Sequence, residues 1–246
     1  MSKPNFIELG GEYQIPILYE DRSVIAIDKP RTWMLVPFTW QKTNRNLHAA
    51  LVSSVAAKDH WARSRNLKFI RHVHRLDAET TGVLLLAKSQ GALDTYSGLF
   101  ESRQMEKIYL AVVTGKPRQT EWASQLKLSP NPDVIGKMRV DLRFGKESET
   151  HFRVLETRGN ATLVEARPVT GRTHQIRVHL AESGCPVAGD DLYGSKPVKK
   201  GQAALGLRAA VLAYKDPFDR RLVRIQAPTE EFLAEFGFSP SPRPGY

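Results

Sequence analysis

Cysteine is nearly absent: among 246 residues, Cys185 is the only one. No intrachain disulfide can form, and a metal site built from clustered thiolates is excluded. A lone thiol suits a reducing compartment. Long apolar runs are missing too. The start, Met1-Ser2-Lys3-Pro4-Asn5, has no apolar signal core, and no later stretch is long enough to cross a bilayer. No internal repeat is evident. A cytoplasmic protein without a membrane span is the expectation.

What is plentiful is positive charge. Lys and Arg number 36 against 26 Asp and Glu, leaving +10. That balance favours polyanions, because phosphates release counterions when basic side chains replace them. Plain solubility would also account for it. The hydrophobic fraction of 41% and charged fraction of 25% are those of an ordinary folded protein with room for a core.

Residues 1–16 contain Gly10-Gly11 and few apolar positions, and are expected to form a loosely attached arm. Residues 239–246 alternate Pro with small or charged residues and read as a flexible tail. One continuous folded unit, 17–238, is expected between them. Val24-Ile25-Ala26-Ile27, stopped by Lys29-Pro30, predicts a buried strand, as does Val83-Leu84-Leu85-Leu86. Asn46 to Lys58 has helical spacing, and Ser89 caps a second helix with Leu93, Tyr96, Leu99 and Phe100 inward. Lys107 to Val113 reads as a strand, and Arg158-Gly159-Asn160 turns a hairpin between Thr150–Glu156 and Thr162–Ala166. Thr173 is expected to cap a short helix that Gly184 and Pro186 end, before strands at Leu207–Tyr214 and Leu222–Ile225. Strands outnumber helices without strict alternation, which predicts an α+β fold with a mixed, largely antiparallel sheet.

The chemistry gathers near one carboxylate. From His60 to Arg75 the chain holds Arg63, Arg65, Lys68, Arg71 and Arg75 with His72 and His74 and no acidic residue; Asp77 follows at once. Surrounding cations favour the charged form of a carboxylate, and a charged, partly desolvated carboxylate is a usable nucleophile. A residue that only caps a turn or pairs with Arg75 is the plainer alternative.

The segment His74-Arg75-Leu76-Asp77-Ala78-Glu79-Thr80-Thr81-Gly82-Val83 closely resembles the catalytic motif of the RluA-type (RluA/RluC/RluD-like) RNA pseudouridine synthases. Lys107-Ile108-Tyr109-Leu110-Ala111-Val112-Val113-Thr114-Gly115 is similar to that family's tyrosine-bearing strand. Arg167 to Leu180, with Gly171-Arg172-Thr173-His174-Gln175-Ile176-Arg177 at its centre, is similar to its arginine motif. Weaker echoes at Leu18-Tyr19-Glu20-Asp21 with Asp28-Lys29-Pro30, and at Pro186-Val187-Ala188-Gly189-Asp190 with Leu192-Tyr193-Gly194, extend the likeness over about 17–228. Thr81 stands where serine is usual, Arg31-Thr32 where a small residue and glycine are frequent, and Arg208 where histidine is common.

The resemblance implies a pseudouridine synthase fold, with flanking helices and a central catalytic cleft, acting on ribosomal or transfer RNA. Asp77 would be the nucleophile, Arg177 its cationic partner and Tyr109 the ring that stacks on the target uracil. Arg75 would occupy the space left by the everted base, and Arg71, His74, Arg172, Lys199 and Lys200 would contact RNA. The isomerisation consumes neither electrons nor water overall, so no cofactor or metal is expected. Too few residues precede Tyr19 for a separate N-terminal S4 domain, and a monomer is expected. Two other readings stay open. His72, His74 and Asp77, joined by His174 or His179, mimic a metallohydrolase site, although Arg75 is an awkward neighbour for a divalent metal. A non-catalytic RNA-binding protein is the other.

Overall fold

Short β-branched and leucine-rich runs, parted by turn residues, set the order of elements in this computed structural model, which describes residues 3–11, 13–35, 45–194 and 204–239. First come β1 (Phe6–Leu9), β2 (Tyr13–Glu20), β3 (Val24–Lys29), α1 (Leu47–Ala56), α2 (His60–Arg63), β4 (Arg71–His72), β5 (Thr81–Ala87) and α3 (Gln90–Glu101). Then follow β6 (Glu106–Thr114), β7 (Glu121–Ser124), β8 (Lys127–Pro130), β9 (Met138–Val140), β10 (Lys146–Glu147), β11 (Thr150–Arg158), β12 (Ala161–Pro168) and α4 (Gln175–Glu182). The chain ends with β13 (Leu207–Lys215), β14 (Leu222–Gln226) and α5 (Glu230–Glu235). Two compact units result, Met1–Met105 with Val211–Ala227, and Glu106–Ala210 with Pro228–Tyr246. Nothing in the sequence marks this division, because only residues 102–105 separate α3 from β6.

In the first unit the strands run β1-β2-β3-β5 with antiparallel pairing throughout. β4 adds to β5, and β14 pairs with residues 211–215 of β13. Val24 to Ile27 and Val83 to Ala87 are buried on both faces, which is why these runs are continuously apolar rather than alternating. Asp21 Oδ1 starts β3 by accepting the amides of Ser23 and Val24, at 2.6 and 2.8 Å. Ser89 caps α3, accepting the Ala92 amide. Tyr96 is fully buried on that helix, and its hydroxyl donates to Asp216 Oδ2 at 2.6 Å.

The expected loose arm is a correction. Residues 6–9 and 13–20 are paired strands, with Ile7, Leu9 and Ile15 buried. The four-residue alternation Phe6-Ile7-Glu8-Leu9 is enough because a neighbouring strand supplies the partner that a short strand lacks alone.

In the second unit the main sheet runs β6-β12-β11-β7, again antiparallel. A separate small sheet has the order β10-β8-β9. Ile176 and Leu180 of α4 pack with Ala111, Val113, Phe152, Val164 and Ala166. The α+β class expected from the sequence is the one observed. One boundary differs: α4 is preceded by His174 in left-handed conformation, φ 55°, with no side-chain cap from Thr173. The Gln175 amide does the tying instead. Its Oε1 accepts from Thr170 Oγ1 and Arg172 N at 2.7 and 2.9 Å, and its Nε2 donates to Glu149 O and Thr150 Oγ1, each at 2.9 Å. All four hydrogen-bonding positions of that amide are filled, which makes the loop before α4 stiff. At the far end, Arg158 donates to Gly237 O and Ser239 Oγ; the rest of the expected tail, 240–246, lies outside the described residues.

Candidate active site

Asp77 is half-buried at the head of a turn between β4 and β5, and Thr80 N donates to its carbonyl oxygen at 3.2 Å. That turn is fastened by a side chain to which the sequence assigned no role in the site. Lys29, at the end of β3, is fully buried, and its ammonium donates to Ala78 O at 2.8 Å, Thr80 O at 2.9 Å and Pro30 O at 3.0 Å. Burial pulls the lysine down to about 7, while the carboxylates of Asp77 and Glu79 push it back up. A buried cation thus faces the aspartate loop from within, satisfied by three carbonyls. In the sequence Lys29-Pro30 is visible as the end of a strand and as a weak echo of the family's opening strand, and neither shows this contact.

Around this turn the basic segment divides by role. Arg71 and Arg75 are exposed. His72 packs edge-on to His48 at 5.2 Å between ring centres. Burial, then His48, Arg75 and Arg71, lower His72 to about 4, so its ring stays neutral in a positive field. His74 is occupied within the fold: Nε2 accepts the Leu85 amide at 3.1 Å, and the ring stacks on Phe100 at 4.6 Å. Arg65, from the same run, is bound to Glu20 at 2.8 Å.

In the second unit, Tyr109 lies on β6 opposite Ala166 of β12, half-buried against the core that includes Ala111 and Val113. Residues two apart share a sheet face, so Tyr109 looks toward the side on which α4 packs. Lys107, on that same face, donates to Thr170 O at 3.2 Å. Arg177 on α4 is buried and meets Asp190 in a two-pronged pair: Nε to Oδ2 at 2.8 Å and Nη2 to Oδ1 at 2.7 Å. Asp191 adds a longer contact at 3.4 Å. Burial by itself would raise the Asp190 carboxyl. The Arg177 guanidinium and the amides of Tyr193 and Leu192 outweigh it and hold the group below the usual carboxylate range. Gly189 places Asp190: at φ +72° a Cβ would stand 2.0 Å from Ala204 O, so only glycine fits.

Tyr193 joins these parts. The Arg177 guanidinium lies 5.2 Å from its ring centre and Lys137 Nζ 5.4 Å from it. Its hydroxyl accepts the Met138 amide at 2.7 Å and is 2.9 Å from His174 Nδ1. Asp190 and Tyr193 were visible in the sequence only as a faint echo after the arginine motif. His179 is fully buried, with ring nitrogens 2.8 Å from Ser148 Oγ and 3.0 Å from Thr150 Oγ1. Arg172 is exposed, and its Nε donates to Glu147 O at 3.0 Å. Arg208 is buried and donates to Pro228 O at 2.7 Å. Lys199 and Lys200 lie outside the described residues. Among the described residues no group of three or more His, Cys, Asp or Glu is gathered closely enough to hold a metal ion.

Solved structures of two human proteins share this fold. RNA Pseudouridylate Synthase Domain Containing 4 superposes with a TM-score of 0.72 at 24% identity, over 89% of this chain and 90% of that one. RNA Pseudouridylate Synthase Domain Containing 1 gives 0.69 at 25% identity, over 90% and 86%. The fold is therefore that of a pseudouridine synthase domain. Residues 23–182 match the RNA pseudouridylate synthase family. Ribosomal large subunit pseudouridine synthase C of Vibrio cholerae is 35% identical over 227 residues, 89% of this chain and 67% of the relative. The Escherichia coli protein of the same name is 36% identical over 230 residues, 88% and 67%. The chain belongs to the RNA pseudouridylate synthase family and is an isomerase that converts uridine in RNA to pseudouridine.

Proposed function

We propose that the target uridine is everted from a structured ribosomal or transfer RNA and that Asp77 is the nucleophile, with Arg177 as its cationic partner and Tyr109 stacked on the base. The observation that carries this reading is the seat of Asp77, half-buried in a turn held from beneath by the buried ammonium of Lys29. A carboxylate on a pinned loop is pre-oriented for attack. It adds either at C1′ or at the pyrimidine ring. By either route the N1–C1′ bond breaks, the C5–C1′ bond forms, C5 gives up its proton and N1 takes one up, so nothing is consumed overall. The Tyr109 hydroxyl would take part in that proton transfer, and its ring would hold the unstacked base.

Arg177 suits its role because Asp190 fixes both prongs of the guanidinium, leaving little freedom to be lost on reaching a transition state. Arg75 would fill the gap left by the everted uracil, and the exposed Arg71 and Arg172 would hold phosphates, in keeping with the net charge of +10. Residues 17–238 would carry the chemistry, in the cytoplasm where ribosomal and transfer RNA are processed. The protein would act as a monomer. No helix among the described residues is long and apolar enough to cross a membrane.

Asp77→Asn tests the reading. Pseudouridine formation in unmodified ribosomal and transfer RNA should fall by roughly 10⁴-fold or more, while RNA binding persists. Turnover at the wild-type rate would overturn the assignment.

A further inference from the structure

The small sheet β10-β8-β9 has no place in the chemistry described so far, yet it displays apolar side chains to solvent. Leu142 and Phe144, on the turn between β9 and β10, are 70% and 74% exposed. Single exposed apolar residues are common on protein surfaces. Two on one tight turn, with an arginine between them, call for a partner.

The turn is rigidly built. Asp141 Oδ1 accepts the amides of Phe144 at 2.9 Å and Arg143 at 3.2 Å, and Gly145 N donates to Asp141 O at 2.9 Å. A Cβ on Gly145 would meet Asp141 O at 2.4 Å and Leu128 N at 2.8 Å, so the turn lies flat on the β8 backbone. The exposed side chains are held out by a fixed frame.

Charge then selects the partner. From Lys137 to Glu147 the chain carries Lys137, Arg139, Arg143 and Lys146 against two carboxylates: Asp141, which accepts the turn's own amides and lies 3.6 Å from Arg139, and Glu147, which lies 3.5 Å from Lys127. The Arg143 guanidinium covers one side of the Phe144 ring at 4.8 Å. An arginine over an aromatic ring beside further cations matches an unpaired base and its flanking phosphates. β9 is also bound to the proposed catalytic apparatus: the Met138 amide donates to Tyr193, whose ring lies under Arg177.

We propose that the turn 141–145 is an RNA-docking element, in which Phe144 and Leu142 pack against an unpaired base while Arg143 and Lys146 contact the adjoining backbone. It rests on the reading that RNA is the substrate, and it adds a contact outside the target uridine. The test uses the full chain, with unmodified large-subunit ribosomal RNA and total transfer RNA as probes. Binding is measured across a salt series and isomerisation under single-turnover conditions at saturating RNA.

Phe144→Ala should weaken binding about tenfold with an unchanged salt slope. Arg143→Ala should weaken it and reduce the slope by about one. Single-turnover rates should stay at wild type for both. Variants that bind like wild type would overturn the proposal, as would a loss confined to the single-turnover rate. A wild-type dimer that becomes monomeric in Phe144→Ala with unaltered RNA affinity would also overturn it, by showing that a second copy covers the turn. Failure of the wild-type protein to bind or modify either RNA would instead strike the substrate reading itself.

Discussion

The ammonium of Lys29 lies 2.8 Å from the carbonyl oxygen of Ala78, the residue next to Asp77. The lysine touches backbone, and its influence on chemistry passes through the loop. Lys29→Met should leave the carbonyls of Ala78 and Thr80 buried without that donor, destabilising the fold by about 1–3 kcal/mol. Loss of register at Asp77 should lower kcat by about 10²-fold with KM little changed. Steady-state kinetics on protein shown to be folded checks both numbers, and an unchanged kcat would make Lys29 purely structural.

Arg177 and Asp190 form a buried pair in which each answers the other's charge. Asp190→Asn strands the guanidinium and should cost about 3–5 kcal/mol in denaturant unfolding. The double variant Arg177→Met with Asp190→Asn removes the stranded charge and should recover part of that loss. Activity should stay absent in the double variant. Stability and turnover are expected to separate here, and a double variant with restored turnover would refute the role of Arg177.

Acid should weaken the second unit through His179. Burial lowers this imidazole to about 4, and the run from Thr150 Oγ1 through the ring to Ser148 Oγ suits its neutral form. The unfolded chain takes up a proton near pH 6.5, which the folded one refuses until about 4. Stability from this residue is therefore complete above pH 6.5 and lost as pH falls from 6.5 through 4, amounting to roughly 3 kcal/mol. Urea unfolding of wild type and His179→Gln across that range measures it, and the variant should show the shallower pH dependence.

Tyr109 has two separable attributes. Tyr109→Ala should cost about 1–3 kcal/mol of substrate stabilisation through lost stacking. Tyr109→Phe keeps the ring and removes the hydroxyl, and should slow turnover about 10²-fold if that oxygen moves the C5 proton. Wild-type turnover in Tyr109→Phe would leave the residue as a stacking platform alone.

Features that depend on local chain chemistry were legible in advance. β3 and β5 announced themselves as unbroken apolar runs, α3 through Ser89 and its inward spacing, and the β11–β12 hairpin through Gly159. Contacts between distant residues were not. Two acceptors of Lys29 lie 49 and 51 residues away, and Asp190, past the end of α4, lies 13 positions beyond Arg177. β8, β9 and β10 have four, three and two residues, too few for a periodic signal to emerge. Nor does anything in the sequence signal the Leu85 amide and the Phe100 ring that the imidazole of His74 meets within the fold.

The core of the first unit is completed by Leu212, Tyr214, Val223, Ile225 and Ala227, which pack with Val24, Ala26, Val83 and Leu85. During synthesis, the leading strands must therefore wait until β13 and β14 have left the ribosome before their apolar face is covered. A nascent chain arrested ahead of β13 would present that face to chaperones and proteases. Expressing residues 1–105 alone would reproduce this unfinished state permanently.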